Sequence, residues 1–443
     1  MRIKLGIPFK LSFVADCLSG ELNVADRLIT HISTDTRDLF PGDLFVAIAD
    51  GRKYIEEAKS IGAFVVFSQT GSSIEISDDT EVLPTLAKNY IKKLPYILYK
   101  IAITGSVGKT TTKEFTKIIL SERFKVHSNE GNYNNHIGLP MSILSAPWDT
   151  QILLMEMGMN HLGEIEGLSK CLEPDIGIIT NIGSSHIGNL GSREAIAEAK
   201  LEVLKGMTNG QLFIPLGEPL LKPGAGRSTV SHERLDADYT LIYQDGDAIL
   251  FNRGDEIYRS PFALCESHHL KALAFATSLG SFLGMLPEEL GTGTSQISTD
   301  NTRQTTICRS GYHFVADCYN SSYESVLALI ETANLHKELG ESSVVIGDIL
   351  ELGEYCEAIH RMVGVAVGEA SFRHVFLFGE NAKYLLYGIE STGFPPEFIH
   401  VNEDLASPEI TADQIKRFCQ NNEVIYMKAS RSVRLERILD YFN

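Results

Sequence analysis

Residues 101–114 read IAITGSVGKTTTKE, and no other stretch restricts the fold of this chain as tightly. The apolar run over residues 96–103 predicts a buried strand, and residues 104–108 cannot continue it. Residues 109–121 then carry Phe115, Ile118 and Ile119 at helical spacing. Strand, glycine loop and helix in that order place backbone N–H groups and the positive end of a helix dipole around one point. Lys109 adds a mobile charge there, and Thr110 a hydroxyl suited to a phosphate-bound cation. The segment is a short T-G-S-x-G-K-T-T form of the phosphate loop, because Thr104 stands where the longer pattern has glycine. The expected ligand is ATP, bound by Thr104, Gly105, Ser106, Gly108, Lys109, Thr110 and Thr111. The plainer alternative is a glycine turn with a surface lysine.

Composition narrows the partners. With 443 residues and 44% hydrophobic content, two or three domains can each bury a core. A net charge of −18 argues against a nucleic-acid backbone, so an anionic substrate must be met by local cations. No secretory leader pattern and no apolar run of roughly 20 residues are visible, so no membrane insertion and a cytoplasmic location are expected. Seven scattered cysteines without a CxxC pair fit reduced thiols in such a compartment.

Three domains are predicted: 1–93, 94–298 and 299–443. In the first, strands at 44–48 and 63–67 flank a helix at 55–61, a small α/β unit. Ahead of it, Thr34 and Arg37 offer a hydroxyl and a guanidinium to a phosphate or sugar, with a capped turn as the competing account. The central domain alternates strand and helix, which predicts a doubly wound, mainly parallel sheet. Strands at 152–155 and 176–180 end in Glu156 and in Asn181 followed by Ser184-Ser185-His186. Ligands bind beyond the carboxyl ends of such strands, so Glu156 and His186 share a rim with the glycine loop. Ser192 is a candidate N-cap for a helix through Lys200. Residues 239–260 have hairpin grammar and predict a small antiparallel addition. A helix over 270–283 and a linker over 291–299 follow. The last domain repeats the α/β pattern, a Rossmann-like unit, with strands at 312–317, 343–346, 375–378 and 424–427.

The segments ITGSVGKTTTKE, NEGNYNNHIGLP, EMGMNHLGEI, TNIGSSHIGNLGSREAIAEAK, DCYNSSYESV, IGDILELGEY and KASRSVRLE, in this order, resemble the Mur ligases over nearly the whole chain. The resemblance implies an ATP-dependent, ADP-forming ligase that phosphorylates a carboxylate and lets an amine attack the acyl phosphate. The member it resembles most joins D-alanyl-D-alanine to UDP-N-acetylmuramoyl-tripeptide in peptidoglycan synthesis. It implies Mg²⁺ held by Thr110 and Glu156, and a second metal site with His186 and a CO₂-derived carbamate on Lys200. Arg303 and Asp317 match positions addressing ATP phosphate and ribose, and Lys271 stands where the family places an adenine-contacting asparagine. Asn134 and Asn135 match positions near the muramoyl-peptide. Asn320, Ser430 and Arg431 match those handling the incoming amine and its carboxylate. The resemblance also implies a nucleotide-sugar role for the first domain, around Thr34 and Arg37, and a monomer is expected. Alternatives are a paralogue joining other partners, such as a related Mur step or a folylpolyglutamate-like addition, and a nucleotide-binding protein without turnover.

Overall fold

A computed structural model describes residues 1–67, 72–76, 81–298, 305–336 and 341–442. Three mixed α/β sheets succeed one another along the chain. The first has six strands in the order Arg2–Lys10, Leu28–Ser33, Leu44–Val46, Phe64–Phe67, Ile74–Glu75, Glu21–Leu22. The helix Ile55–Ile61 falls where residue spacing predicts it.

The central sheet has nine strands. Its inner part is parallel, with Tyr99–Thr104 between Ile152–Glu156 and Ile176–Ile179. Tyr99–Thr104 starts later than its apolar run, because the N–H groups of Leu98 and Tyr99 are drawn to the Gln151 carbonyl. The hairpin strands Tyr239–Gln244, Asp247–Asn252 and Asp255–Pro261 are not a separate unit: they extend the edge of this same sheet through a parallel pairing with Arg227–Ser231. One face is covered by the helices Lys109–Ser121 and Ser267–Phe282 around Phe115, Ile119 and Leu273. The other face shares a continuous apolar cluster with the first and third sheets, reaching from Leu5 and Val14 through Met155 and Ile179 to Val344.

The predicted linker over 291–299 is corrected. Residues Pro287–Ser295 form a helix, and Thr299 lies outside the described residues. The small residues have a packing reason: a Cβ on Gly293 would sit 2.7 Å from the Ile119 Cα, so this helix lies directly against the one that follows the glycine loop. The third sheet is parallel over Tyr312–Asp317, Val424–Lys428, Ser342–Gly347, Val375–Phe378 and Ile399–Asn402, with Thr305–Arg309 added antiparallel at one edge.

Main-chain joints position the sheets. In the first strand the register shifts between Lys4 and Phe9. There the Ile7 N–H donates to the Tyr90 hydroxyl at 2.6 Å, and that hydroxyl donates to the Ala146 carbonyl at 2.8 Å. The third sheet docks on the central one in the same manner. Ser184 donates through its N–H and hydroxyl to the two oxygens of Glu324, at 2.8 and 2.9 Å. The Gly188 N–H donates to the Glu351 carbonyl at 3.0 Å, and the Tyr355 hydroxyl to the Gly191 carbonyl at 2.5 Å. A Cβ on Gly183 would lie 2.8 Å from the Glu324 carboxyl carbon, and one on Gly188 2.4 Å from the Gly353 nitrogen.

Two outcomes follow. Tyr90→Phe leaves two backbone groups without their partner and is expected to lower unfolding stability by about 1–3 kcal/mol in urea titrations. In the third sheet, burial and the adjacent His374 hold His400 down to about 4, against an ordinary 6.5, while Phe376 and Phe418 stack on it. The unfolded chain therefore takes up the proton first. This contribution to stability is complete above about pH 6.5 and lost as pH falls towards 4. His400→Phe should flatten the decline of the urea midpoint between pH 7 and 5.

Candidate active site

The loop after Tyr99–Thr104 is held by the end of the neighbouring strand. The Asn181 side-chain oxygen accepts from the Ser106 and Val107 N–H groups, both at 3.0 Å. The Thr180 hydroxyl donates to the Val107 carbonyl at 2.7 Å, and the Ser106 hydroxyl accepts from the Gly183 N–H at 2.9 Å. Two glycines are required here: Gly108 caps the helix at φ 78°, and a Cβ on Gly105 would sit 1.9 Å from the Thr180 Oγ1. Thr104 ends its strand fully buried, its hydroxyl on the Met157 carbonyl. Lys109 Nζ bends back onto the Gly105 and Ser106 carbonyls at 2.8 and 3.1 Å.

Beside this loop, Glu156 is 1% exposed. A buried carboxylate needs donors, and it has them from two other segments. The Thr110 hydroxyl donates to Oε2 and the Asn134 amide to Oε1, each at 2.7 Å. Asn129 braces the same strand end by exchanging side-chain bonds with the Glu156 main chain at 2.9 Å. Asn135 does something different: its oxygen accepts from the N–H groups of Ile137 and Gly138, so it shapes the start of the helix Gly138–Leu144. His186 sits in the left-handed region at φ 65°, with Nδ1 2.6 Å from the Glu351 carboxylate of the third sheet's domain. That imidazole holds the Glu351 carboxyl below the usual range.

Ser192 caps its helix as its sequence position predicts, accepting from the Ala195 N–H at 3.1 Å. Next to the last residue of that helix, Lys200 is 1% exposed. Burial first, and the Lys109 charge second, push its amine well below the usual lysine range. Lys109, Asn134, Glu156, His186 and Lys200 line one cleft of about 740 Å³, to which Asn320, Glu351 and Arg431 of the last domain contribute.

A second cavity, of about 430 Å³, lies behind the loop. Ser106, Gly108, Lys109 and Thr111 meet Lys271 and Asp317 there. Asp317 is paired with Lys428, whose Nζ lies 2.6 Å from Oδ2 and 3.0 Å from the Asn320 carbonyl. Lys428 is the last residue of a strand and 1% exposed, a position that its strand-end location signals. His268 also lines this cavity, pushed down to about 3 by burial and the adjoining His269. Asn181, His268 and Lys428 line this cavity and Glu351 lines the main cleft; the quoted motifs contain Asn181, Glu351 and Lys428 without marking their contacts, and His268 lies outside them.

A third cavity, of about 610 Å³, contains Asn320, Ser430 and Arg431. Ser430 is 5% exposed and accepts from the Leu350 N–H at 2.9 Å, which makes it a brace for the pocket wall. Arg431 pairs with Glu436 at 3.0 Å. Thr34 and Arg37 line none of these three cavities. Thr34 bonds the Met1 carbonyl, and Arg37, with 88% of its side chain exposed, pairs with Asp35 as a turn would. Arg303 lies outside the described residues.

Residues 103–255 match the Mur ligase middle domain. A UDP-N-acetylmuramoyl-tripeptide--D-alanyl-D-alanine ligase of Bacillus subtilis is 31% identical, over 96% of this chain and 96% of that protein. The crystal structure of MurF ligase from Thermotoga maritima in complex with ADP superposes with a TM-score of 0.79 at 26% identity, covering 93% of this chain and 96% of that one. For a MurF crystal structure from Acinetobacter baumannii the TM-score is 0.88 at 22% identity, over 99% of both chains. The full-length likeness to the Bacillus ligase, together with the match across the phosphate-loop sheet, means that this chain belongs to the Mur ligase family, within its MurF group.

Proposed function

We propose that the chain is an ATP-dependent, ADP-forming amide ligase that joins D-alanyl-D-alanine to UDP-N-acetylmuramoyl-tripeptide, a step of peptidoglycan synthesis. One observation carries this reading: a phosphate loop, a buried carboxylate and a buried lysine amine meet in a single cleft to which residues from all three sheets' domains contribute, Ile48 and Pro84 from the first and Glu351 and Arg431 from the last. The reading assigns the nucleotide-sugar to residues 1–93, ATP to 94–298 and the incoming amine to 299–443. It places the chain in the cytoplasm, beside its ATP. Among the described residues no helix is long and apolar enough to cross a membrane.

Lys109 leaves the Gly105 and Ser106 carbonyls for the β and γ phosphates, and the helix N-terminus behind it holds the remaining charge. The γ-phosphoryl group passes to the substrate carboxylate. The amine nitrogen then attacks the acyl carbon, the C–N bond forms as the C–O bond to phosphate breaks, and the amine releases its extra proton. Asn134 and Asn135 stand beside the acceptor peptide, and Asp317, kept in place by Lys428, serves the ribose. Docking through Ser184–Glu324 and Gly188–Glu351 keeps water from the acyl phosphate.

The donor set fits a divalent cation. Thr110 and Glu156 present two hard oxygens within one hydrogen bond of each other, and His186 and Lys200 line the same cleft. Among the described residues no three His, Cys, Asp or Glu side chains group as a metal site, so a further anionic ligand has to come from elsewhere. Lys200 suits that need: burial favours the uncharged form of its amine, which is the nucleophile towards CO₂, and the resulting carbamate is anionic, whereas an ammonium repels a cation. When bound, Mg²⁺ on Thr110 and Glu156, and at a second position on His186 and the Lys200 carbamate, neutralises charge on the transferred phosphoryl group.

Phosphate release from ATP is expected with UDP-muramoyl-tripeptide plus D-alanyl-D-alanine, and not with single amino acids or L-glutamate in place of the dipeptide. Release with L-glutamate instead would favour the folylpolyglutamate-like alternative. Lys109→Ala should lower kcat at least about 100-fold while its melting curve stays that of the parent; unchanged turnover would overturn the ATP assignment. Lys200→Ala should be inactive and partly rescued by a short carboxylic acid in the buffer, whereas full activity without additive would reject the carbamate.

A further inference from the structure

Four charged side chains line the cavity beside the main cleft, Glu351, Arg431, Arg434 and Glu436, and three of them are already paired. Arg431 sits on Glu436 at 3.0 Å, and Glu351 on His186 at 2.6 Å. Arg434, in the same cavity, has no hydrogen bond or ion pair from its guanidinium among the described residues. Its backbone is left-handed, at φ 52° and ψ 47°, a conformation that disfavours a side chain with a Cβ. The neighbours explain the geometry: Val433 and Leu435 are both buried, at 5% and 0%, so the chain kinks between two core anchors and presents residue 434 on the pocket side.

The cavity also has a direction. Asn320, Glu351 and Arg431 are shared with the main cleft that holds Glu156 and Lys200, whereas Ser432, Arg434 and Glu436 belong to the cavity alone. The end at Arg434 is therefore the end away from the phosphate loop.

We propose that Arg434 is the residue that recognises the free carboxylate of the incoming dipeptide, gripping it at the far end of this cavity while the amino end lies at the Asn320 and Glu351 mouth that opens onto the cleft. The assignment rests on the ligase reading above and moves the carboxylate grip from Arg431, which is engaged with Glu436, to Arg434. A guanidinium takes a carboxylate bidentately, and a neutral terminus cannot return those charge-assisted bonds. Length selection follows: a single amino acid cannot reach Arg434 and keep its amine at the mouth.

The test is steady-state phosphate release by the full chain with D-alanyl-D-alanine and with its C-terminal amide. Arg434→Gly removes the guanidinium while suiting the left-handed backbone, and Arg434→Lys keeps a point charge. The parent should prefer the acid to the amide by at least about tenfold in kcat/KM. In Arg434→Gly the KM for the dipeptide should rise about 10- to 100-fold and the preference should vanish, with the KM for ATP unchanged; Arg434→Lys should recover part of both. An Arg434→Gly enzyme that keeps the parent's dipeptide KM and its acid preference overturns the proposal. If the parent itself releases no phosphate with any dipeptide, the ligase reading fails instead, so the two failures are distinct.

Discussion

A carboxylate out of reach of water is tolerable only when donors surround it, and Glu156 makes that requirement the organising constraint of the molecule. Its two oxygens are claimed by Thr110, from the helix that begins at the phosphate loop, and by Asn134, from the asparagine loop. Three segments that are separate in the chain are thereby fixed around one point. The parallel pairing of Tyr99–Thr104 with Ile152–Glu156 supplies the distance, since it brings Glu156 level with Ile103, two residues before the loop. Removing either donor leaves a buried charge short of a bond, which is costlier than the bond itself contributes.

Around that centre the remaining charges are sorted by burial. Lys200 is enclosed and its amine pushed down by burial, Lys109 is held by carbonyls of its own loop, and His186 is presented to a carboxylate from the next domain. The arrangement separates a cavity behind the loop from the cleft in front of it. Lys109 borders both.

Much of this was readable from residues alone, because the loop motif, the strand ends and the spacing of apolar residues are local signals. The helix Lys109–Ser121, the N-cap at Ser192 and the rim position of Glu156 and His186 all follow from such signals. What escaped depends on distant parts of the chain. Residues 291–295 look like a linker because glycine, serine and threonine are weak helix formers, yet tight packing on Ile119 selects those small residues. The partners Glu324, Glu351 and Lys428 each act across more than a hundred residues of sequence, where no periodicity reports them. At Arg37, where residue types leave a ligand contact and a capped turn both open, the side chain pairs with Asp35.

The joint between the central and last sheets is secured largely by main-chain atoms, with Gly188 donating to the Glu351 carbonyl and Tyr355 reaching the Gly191 carbonyl. Every residue but proline supplies the same amide and carbonyl, so this joint depends on few side chains, chiefly Ser184, His186, Glu324, Glu351 and Tyr355. Substitutions can accumulate over the rest of that border without altering how the halves meet, as long as positions 183 and 188 remain free of a Cβ. The tolerance of this border to change therefore narrows at two glycines whose role is to let two main chains and one carboxylate come close.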